Sequence, residues 1–346
     1  MVTFDLDADD EMLVESPPQI AIPMGYQPPS DGQTTPASPK TGEGVRGAAP
    51  WEGAQVATSI HVDVVRERLR EELNLELQHA TGGDRTFLVR LMHVLESPNL
   101  DLPPFPDVAQ ELNEMLKDEN TSVVQLAGVI ERDPGLVKRV WAQGSSARYM
   151  NPPRSLHHAV SRIGLDALWQ LGMAVCMDDN VFRLDGFQDK ADAARTQGVV
   201  AAEVAAWISK EPRGPMYMAG LLHAVGKLIL YRTASDGTDK KNPPSVDLVD
   251  RLAKKYYPSF GVLVARSWKL DNLVVGGVGF HSAPDAADPE VEHCARVLHA
   301  AVLATHTASQ ERAGIDGDGF ASLQKIEGLK FDIEGAIAKA YEVFEN

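Results

Sequence analysis

Cysteine is scarce in this chain: Cys176 and Cys294 are the two thiols among 346 residues, both in apolar helical surroundings and without CxxC spacing. A chain this long can bury a sufficient core without disulfides, so reduced, buried thiols of a cytoplasmic protein are expected. Positive charge is also short, with 33 Lys and Arg against 49 Asp and Glu, a formal charge of −16. Nucleic acid is therefore not expected as the main ligand, because gripping a phosphate backbone needs clustered cations. Long apolar runs are missing too. His223 and Lys227 interrupt the most apolar segment, which falls short of the roughly 18 residues of a membrane span, so no membrane insertion is expected. The acidic start "MVTFDLDADDEM" has neither the basic region nor the apolar stretch of a secretory leader, which argues for a cytoplasmic location. Finally, no convincing alternation of apolar and polar residues marks a strand, and the expected class is all-α, with many short helices.

What is present divides the chain into four parts. Residues 1–56 are rich in Pro, Gly, Ser and Thr and have too few spaced apolar positions to offset the cost of ordering; a disordered tail is expected. Phe4, Leu6, Met12 and Leu13 within it could form a short binding motif or simply belong to a solvated leader. Residues 57–97 read as an amphipathic helical extension. Over 60–79, Val62, Val65, Leu69, Leu73 and Leu77 recur every three or four residues, while "RERLREEL" places charge pairs outside. That stripe suits either a seam between two copies of the chain or packing against the neighbouring domain.

The prolines of "SPNLDLPPFP" forbid continuous helix and mark the start of a compact domain over 98–310, followed by a C-terminal turn and helix over 311–346. Within the domain, Ser122 with Gln125 fits a capping box, and Asp133 before Pro134 places an N-cap acceptor ahead of a first-turn proline. Gly164 suits a left-handed helix end ahead of Asp166. Further helices are predicted at 190–210, 214–231, 246–256, 258–269, 271–280 and 288–310, so that Pro258 opens a separate helix.

The segment "AGLLHAVGKLIL", 219–230, sets His223 and Lys227 four apart in an otherwise apolar or small helix. Two readings stand for His223: a core histidine bonded to backbone, or, with Lys227 on the same face, part of a pocket for an anion or a partner's carboxylate. Together with "LDLPPFPDVAQELNEML" and "LAGVIERDPGLVKRVWAQGSSARYMNPPRSLHHAVSRIGLDAL", this run resembles the HDOD family, HD-related output domains of bacterial signalling proteins, over about Leu100 to Ala308. The resemblance implies an all-helical relative of the HD phosphohydrolases that generally lacks their metal site and serves as a regulatory or protein-binding module. Those enzymes hold divalent cations with a His, a His-Asp pair and a later Asp. Here the pair is His223-Ala224, Thr196 stands about where the first histidine would fall, and Tyr257 occupies a place where relatives often show histidine. His223, Lys227, His281, Thr196 and Tyr257 are thus the candidate relict pocket, with no metal, cofactor or catalytic residue assigned.

Other patterns fail on spacing. In "GIDGDGF", placing Gly319 at the glycine of a calcium loop puts Gly314 and Lys325 where acids are required. His299 and His306 are two helical turns apart, roughly 10 Å, too far to share a metal. "VVGGVGFH" follows no strand, so its glycines point to tight packing or a loop rather than a dinucleotide site.

The function expected is a non-enzymatic regulatory module that docks a signalling protein partner, with 60–79 able to support a homo-oligomer. The alternatives are a divergent HD-type metal-dependent phosphohydrolase using His223 and His281 with Asp178, Asp179 or Asp285, and a metal-free nucleotide-sensing domain.

Overall fold

A computed structural model describes residues 61–98, 100–101, 107–115, 121–146, 151–174, 184, 186–209, 213–236, 242–315 and 317–345. The tail 1–56, Cys176, Asp178 and Asp179 lie outside them, as does the "LPPFP" stretch, 102–106. Among the described residues the chain is all-α, with fourteen helices and no strand. In order they are α1 (Val62–His79), α2 (Gly82–Glu96), α3 (Asp107–Met115), α4 (Val123–Ile130), α5 (Pro134–Gly144), α6 (Leu156–Ala174) and α7 (Gln188–Ser209). Then follow α8 (Arg213–Leu222), α9 (Val225–Ser235), α10 (Val246–Ser267), α11 (Asn272–Phe280), α12 (Pro289–Arg312), α13 (Gly319–Gln324) and α14 (Ile333–Glu345), with a 3-10 turn at Pro284–Ala286 before α12. No helix among the described residues is long and apolar enough to cross a membrane.

Local chemistry explains several boundaries. Ser122 accepts the Gln125 amide N–H while the Gln125 side chain accepts from the Ser122 backbone, closing the capping box that starts α4. Losing it through Ser122→Ala is expected to cost about 1 kcal/mol, read as a lowered urea midpoint at unchanged slope. Asp133 accepts from Leu136 N–H at 3.0 Å ahead of Pro134, and Asp271 caps α11 through Leu273 N–H at 2.7 Å. Gly164 adopts φ 80°, ψ 167° inside α6, so the chain turns there through an extended, glycine-only conformation rather than the left-handed helix end expected.

Two predicted boundaries move. The prolines' logic fails at Pro258, which lies inside an unbroken α10, because Tyr256 and Phe260 on either side are buried and their packing outweighs one lost hydrogen bond. Conversely the helix predicted over 214–231 breaks at His223 and Ala224, so His223 closes one helix and Lys227 sits in the first turn of the next.

The buried apolar residues form two clusters. A smaller one joins α3–α6 through Leu112, Leu126, Ile130, Leu136, Val140 and Leu168. The larger gathers α7–α14 and also takes in Val65, Leu69 and Leu73 of α1 and Phe87, Leu88 and Leu91 of α2. The α1 stripe is therefore spent within the chain, against α2 and α10, rather than left open as a seam for a second copy. Ion pairs fasten the same face: Arg251 holds Glu76 in a two-pronged contact at 2.7 and 2.9 Å, and Lys255 holds Glu72 at 3.0 Å. Asp84 at the start of α2 accepts from the Ser245 backbone at 2.6 Å.

Candidate functional site

The centre of the molecule is assembled where α8, α9, α10 and α11 converge, and glycines allow it. A Cβ on Gly220 would lie 2.5 Å from the Ala202 Cα of α7, and one on Gly226 would lie 2.0 Å from the Tyr257 carbonyl oxygen. The bare backbones of α8 and α9 therefore press directly on α7 and α10. This brings His223, Tyr257 and the turn after α11 together. Gly276 and Gly277 do the same for α11 against Val291 and Cys294 of α12, the tight packing expected of "VVGGVGFH". Cys294 is a buried free thiol that donates to the Leu273 carbonyl at 3.0 Å, and burial pushes its pKa well up.

His223 is 4% exposed and His281 1%. The two rings meet edge to face with centroids 5.7 Å apart. His223 Nδ1 donates to the Gly220 carbonyl at 2.7 Å, and His281 Nδ1 donates to the Val278 carbonyl at 2.9 Å. A neutral imidazole that donates from Nδ1 accepts at Nε2, so the Tyr257 hydroxyl, 2.9 Å away, donates to His281 Nε2. The Lys227 ammonium stands over the Tyr257 ring, 5.0 Å from its centroid. His299, half-buried on α12, donates from Nδ1 to the His281 carbonyl at 2.7 Å and so anchors the same turn.

Burial is the main force on the titrations. It lowers His223 to about 4, helped by the Lys227 charge, and lowers His281 to about 3, helped by His223. It also raises the Tyr257 hydroxyl to about 12. Both imidazoles are consequently neutral at physiological pH. The sign for stability follows directly. Below pH 6.5 the unfolded chain takes up protons that the folded chain refuses until about 4 and 3, so stability is full above 6.5 and falls with pH beneath it. By pH 4, His223 alone accounts for roughly 3 kcal/mol at about 1.4 kcal/mol per pKa unit. Urea melts from pH 7 to 4 are expected to show the decline, and His281→Leu to flatten it; a flat wild-type profile contradicts buried neutral imidazoles.

Four of the five predicted pocket residues thus meet: His223, Lys227, Tyr257 and His281. Thr196 does not, being exposed on α7. Asp285, the one described carboxylate offered as a substitute ligand, is a surface group with an 84% exposed side chain, paired with Arg296 at 2.8 Å.

An HD-type metal centre does not fit these residues. His281 has both nitrogens engaged, a methyl stands at position 224 where a carboxylate would be needed, and the cation of Lys227 lies alongside; His223, with Nδ1 on backbone as in many metal-bound histidines, offers Nε2 alone, which is too few ligands. Among the described residues no three His, Cys, Asp or Glu side chains converge as metal ligands would. What ties helices together here is the Tyr257 bond from α10 to His281 at the end of α11 and the His299 bond from α12 to the His281 carbonyl, while the Nδ1 bonds of His223 and His281 close on their own last helical turns.

Converging short helices around a buried His pair define an all-α protein of HD-like architecture. Residues 102–284, over half the chain, match the HDOD domain model, and the protein belongs to that family. Among solved structures, a Shewanella amazonensis protein named as a metal-dependent phosphohydrolase aligns over 81% of this chain and 98% of its own, at 19% identity and a TM-score of 0.56. An HDOD domain protein with unknown function from Geobacter sulfurreducens aligns over 71% of this chain and 88% of its own, at 19% identity and 0.53. A Marinobacter aquaeolei protein named as a signal transduction protein aligns over 84% and 65%, at 20% identity and 0.52. Likeness at this identity establishes a shared fold. None of the curated proteins compared matches the chain.

Proposed function

We propose that this protein is a non-enzymatic regulatory module of a bacterial, cytoplasmic signalling pathway, acting by docking a partner protein. One observation carries the reading: the histidines that an HD enzyme would aim at a cation are here bonded to Gly220, Val278 and Tyr257, beside a methyl where a carboxylate would complete the pair. His281, committed at both nitrogens, acts as a strut between α10 and α11. The likeness to a structure named as a signal transduction protein accords with this role. Metal analysis of the purified chain, with phosphodiesterase assays on nucleotides and cyclic dinucleotides in manganese, is expected to find neither bound metal nor turnover. Affinity capture from the source bacterium, followed by reconstitution from purified components, is expected to yield a defined protein partner.

The neighbour named as a phosphohydrolase favours a second reading, a divergent HD-type enzyme working through His223 and His281. Stoichiometric metal, with turnover abolished by His223→Ala, would establish that reading instead.

A further inference from the structure

Away from the histidine cluster, a cavity of about 200 Å³ opens between the C-terminal halves of α2 and α9. Its walls combine apolar Val94, Leu100 and Ile229 with the charged side chains of Arg90, Asp101 and Arg232. The volume equals roughly seven waters' share of liquid, enough for an organic molecule of about that many heavy atoms. Its charges are unevenly satisfied. Arg232 pairs through Nε with Asp236 at 3.3 Å, yet its Nη1 is buried with no hydrogen-bond partner among the described residues. Buried guanidinium N–H groups normally find an acceptor. Arg90 on the α2 side and the Asp101 carboxylate make no hydrogen bond or ion pair among the described residues either. His93 stands exposed at the rim.

The turn carrying Asp101 is held in a demanding shape. Leu100 and Asp101 both have positive φ, 54° and 51°, a region that non-glycine residues rarely adopt and that gathers at ligand clamps. Arg66 of α1 fastens that turn from outside, donating to the Leu95 carbonyl and, at 3.2 Å, to the Ser97 carbonyl.

An inorganic dianion suits this lining poorly, because Asp101 and Asp236 offset the two arginines. A molecule with one negative end, one positive end and an apolar body matches all three kinds of wall. We propose that this cavity binds a free amino acid with an aliphatic side chain, its carboxylate on Arg90 and Arg232, its ammonium on Asp101 and its side chain against Val94, Leu100 and Ile229. Arg–carboxylate pairing supplies the strong, directional part of such binding. The site has a structural consequence, because α2 lies outside the family-matched residues and α9 inside them. A bound amino acid therefore ties the N-terminal extension to the domain.

The full-length chain is titrated with L-valine, L-leucine and L-methionine, with isovalerate and inorganic phosphate as controls, by calorimetry and thermal melting. At least one of the three amino acids is expected to bind at millimolar concentration or below and to raise the melting temperature, with isovalerate and phosphate about tenfold weaker or more. Arg232→Met and Asp101→Asn are each expected to weaken binding about tenfold. Asp101 is exposed, so its variant keeps the test valid should Arg232→Met fold poorly. Absence of binding by all three up to about 10 mM overturns the proposal. So does equal affinity for isovalerate, tighter binding of phosphate, or full affinity retained in Asp101→Asn.

Discussion

Ala224→Asp is expected to leave the protein without metal and without turnover, and to destabilise it by about 3–5 kcal/mol. The substitution restores the His-Asp pair on paper, yet residue 224 is fully buried between Leu222 and Val225 in the main core. A carboxylate there either stays charged without a matched cation or protonates at a cost. One effect runs the other way. Ala224 immediately precedes α9, and an aspartate in that place commonly stabilises a helix by about 1 kcal/mol. The backbone limits this gain, since φ −93° and ψ 1° are not the extended conformation of a capping residue. Nor do ligands wait nearby, because His281 is occupied on both sides of its ring. Urea melts, elemental analysis and phosphodiesterase assays in manganese on both proteins test each part. Stoichiometric metal in the variant, with activity, would sink the strut interpretation of the histidines.

The second large effect concerns the neighbouring glycine. Gly226→Ala is expected to cost on the order of 4 kcal/mol or to prevent folding, beyond the ordinary range for overpacking. Its Cβ would stand 2.0 Å from the Tyr257 oxygen and 2.8 Å from that residue's Cα and carbonyl carbon, all backbone atoms that no rotamer change can remove. To fit, α9 and α10 must separate, which also pulls Tyr257 from His281. The control is Gly128→Ala, on the exposed side of α4 with nothing within 4 Å. That change is expected to stabilise by roughly 0.5–1 kcal/mol through helix propensity alone. Similar outcomes for the two variants would mean that α9 does not press on α10 as described.

The contrast between these glycines shows how far the sequence could be read. Caps at Ser122 and Asp133 were legible because acceptor and amide lie within three residues of each other. The all-α class followed from periodicity, His223 and Lys227 stood out as the polar pair of an apolar segment, and Tyr257 and His281 were named from the family resemblance. Their meeting was not derivable from spacing. Tyr257 and His281 lie 24 positions apart, and only the packing of α10 on α11 joins them. The break at His223 carried no local signal, since neither proline nor a turn-forming dipeptide interrupts "LLHAVG"; the close approaches of Gly220 and Gly226 on different helices accompany it. Pro258 carried a strong signal that packing overrode. Thr196 was placed by counting along the chain, and an error of about two residues, half a helical turn, is enough to move a side chain from core to solvent. Gly82 and Gly83 weaken any helical signal at the start of α2, yet a Cβ on Gly83 would fall 2.3 Å from the Pro243 carbonyl oxygen, so contact with a distant segment demands the residue that local propensity disfavours.

The bridges from Glu72 and Glu76 to Lys255 and Arg251 have a bearing on how the chain is made. Glu76 and Arg251 are 175 positions apart. At a synthesis rate of about 5–20 residues per second, roughly 10–35 s pass between the emergence of α1 from the ribosome and that of the surface it must cover. During that interval α1 and α2 can pair with each other, but Val65, Leu69 and Leu73 have no α10 to rest on. Helices α1 and α2 are therefore made well before they can dock fully, and Val65, Leu69 and Leu73 lack their α10 cover until translation has passed residue 255.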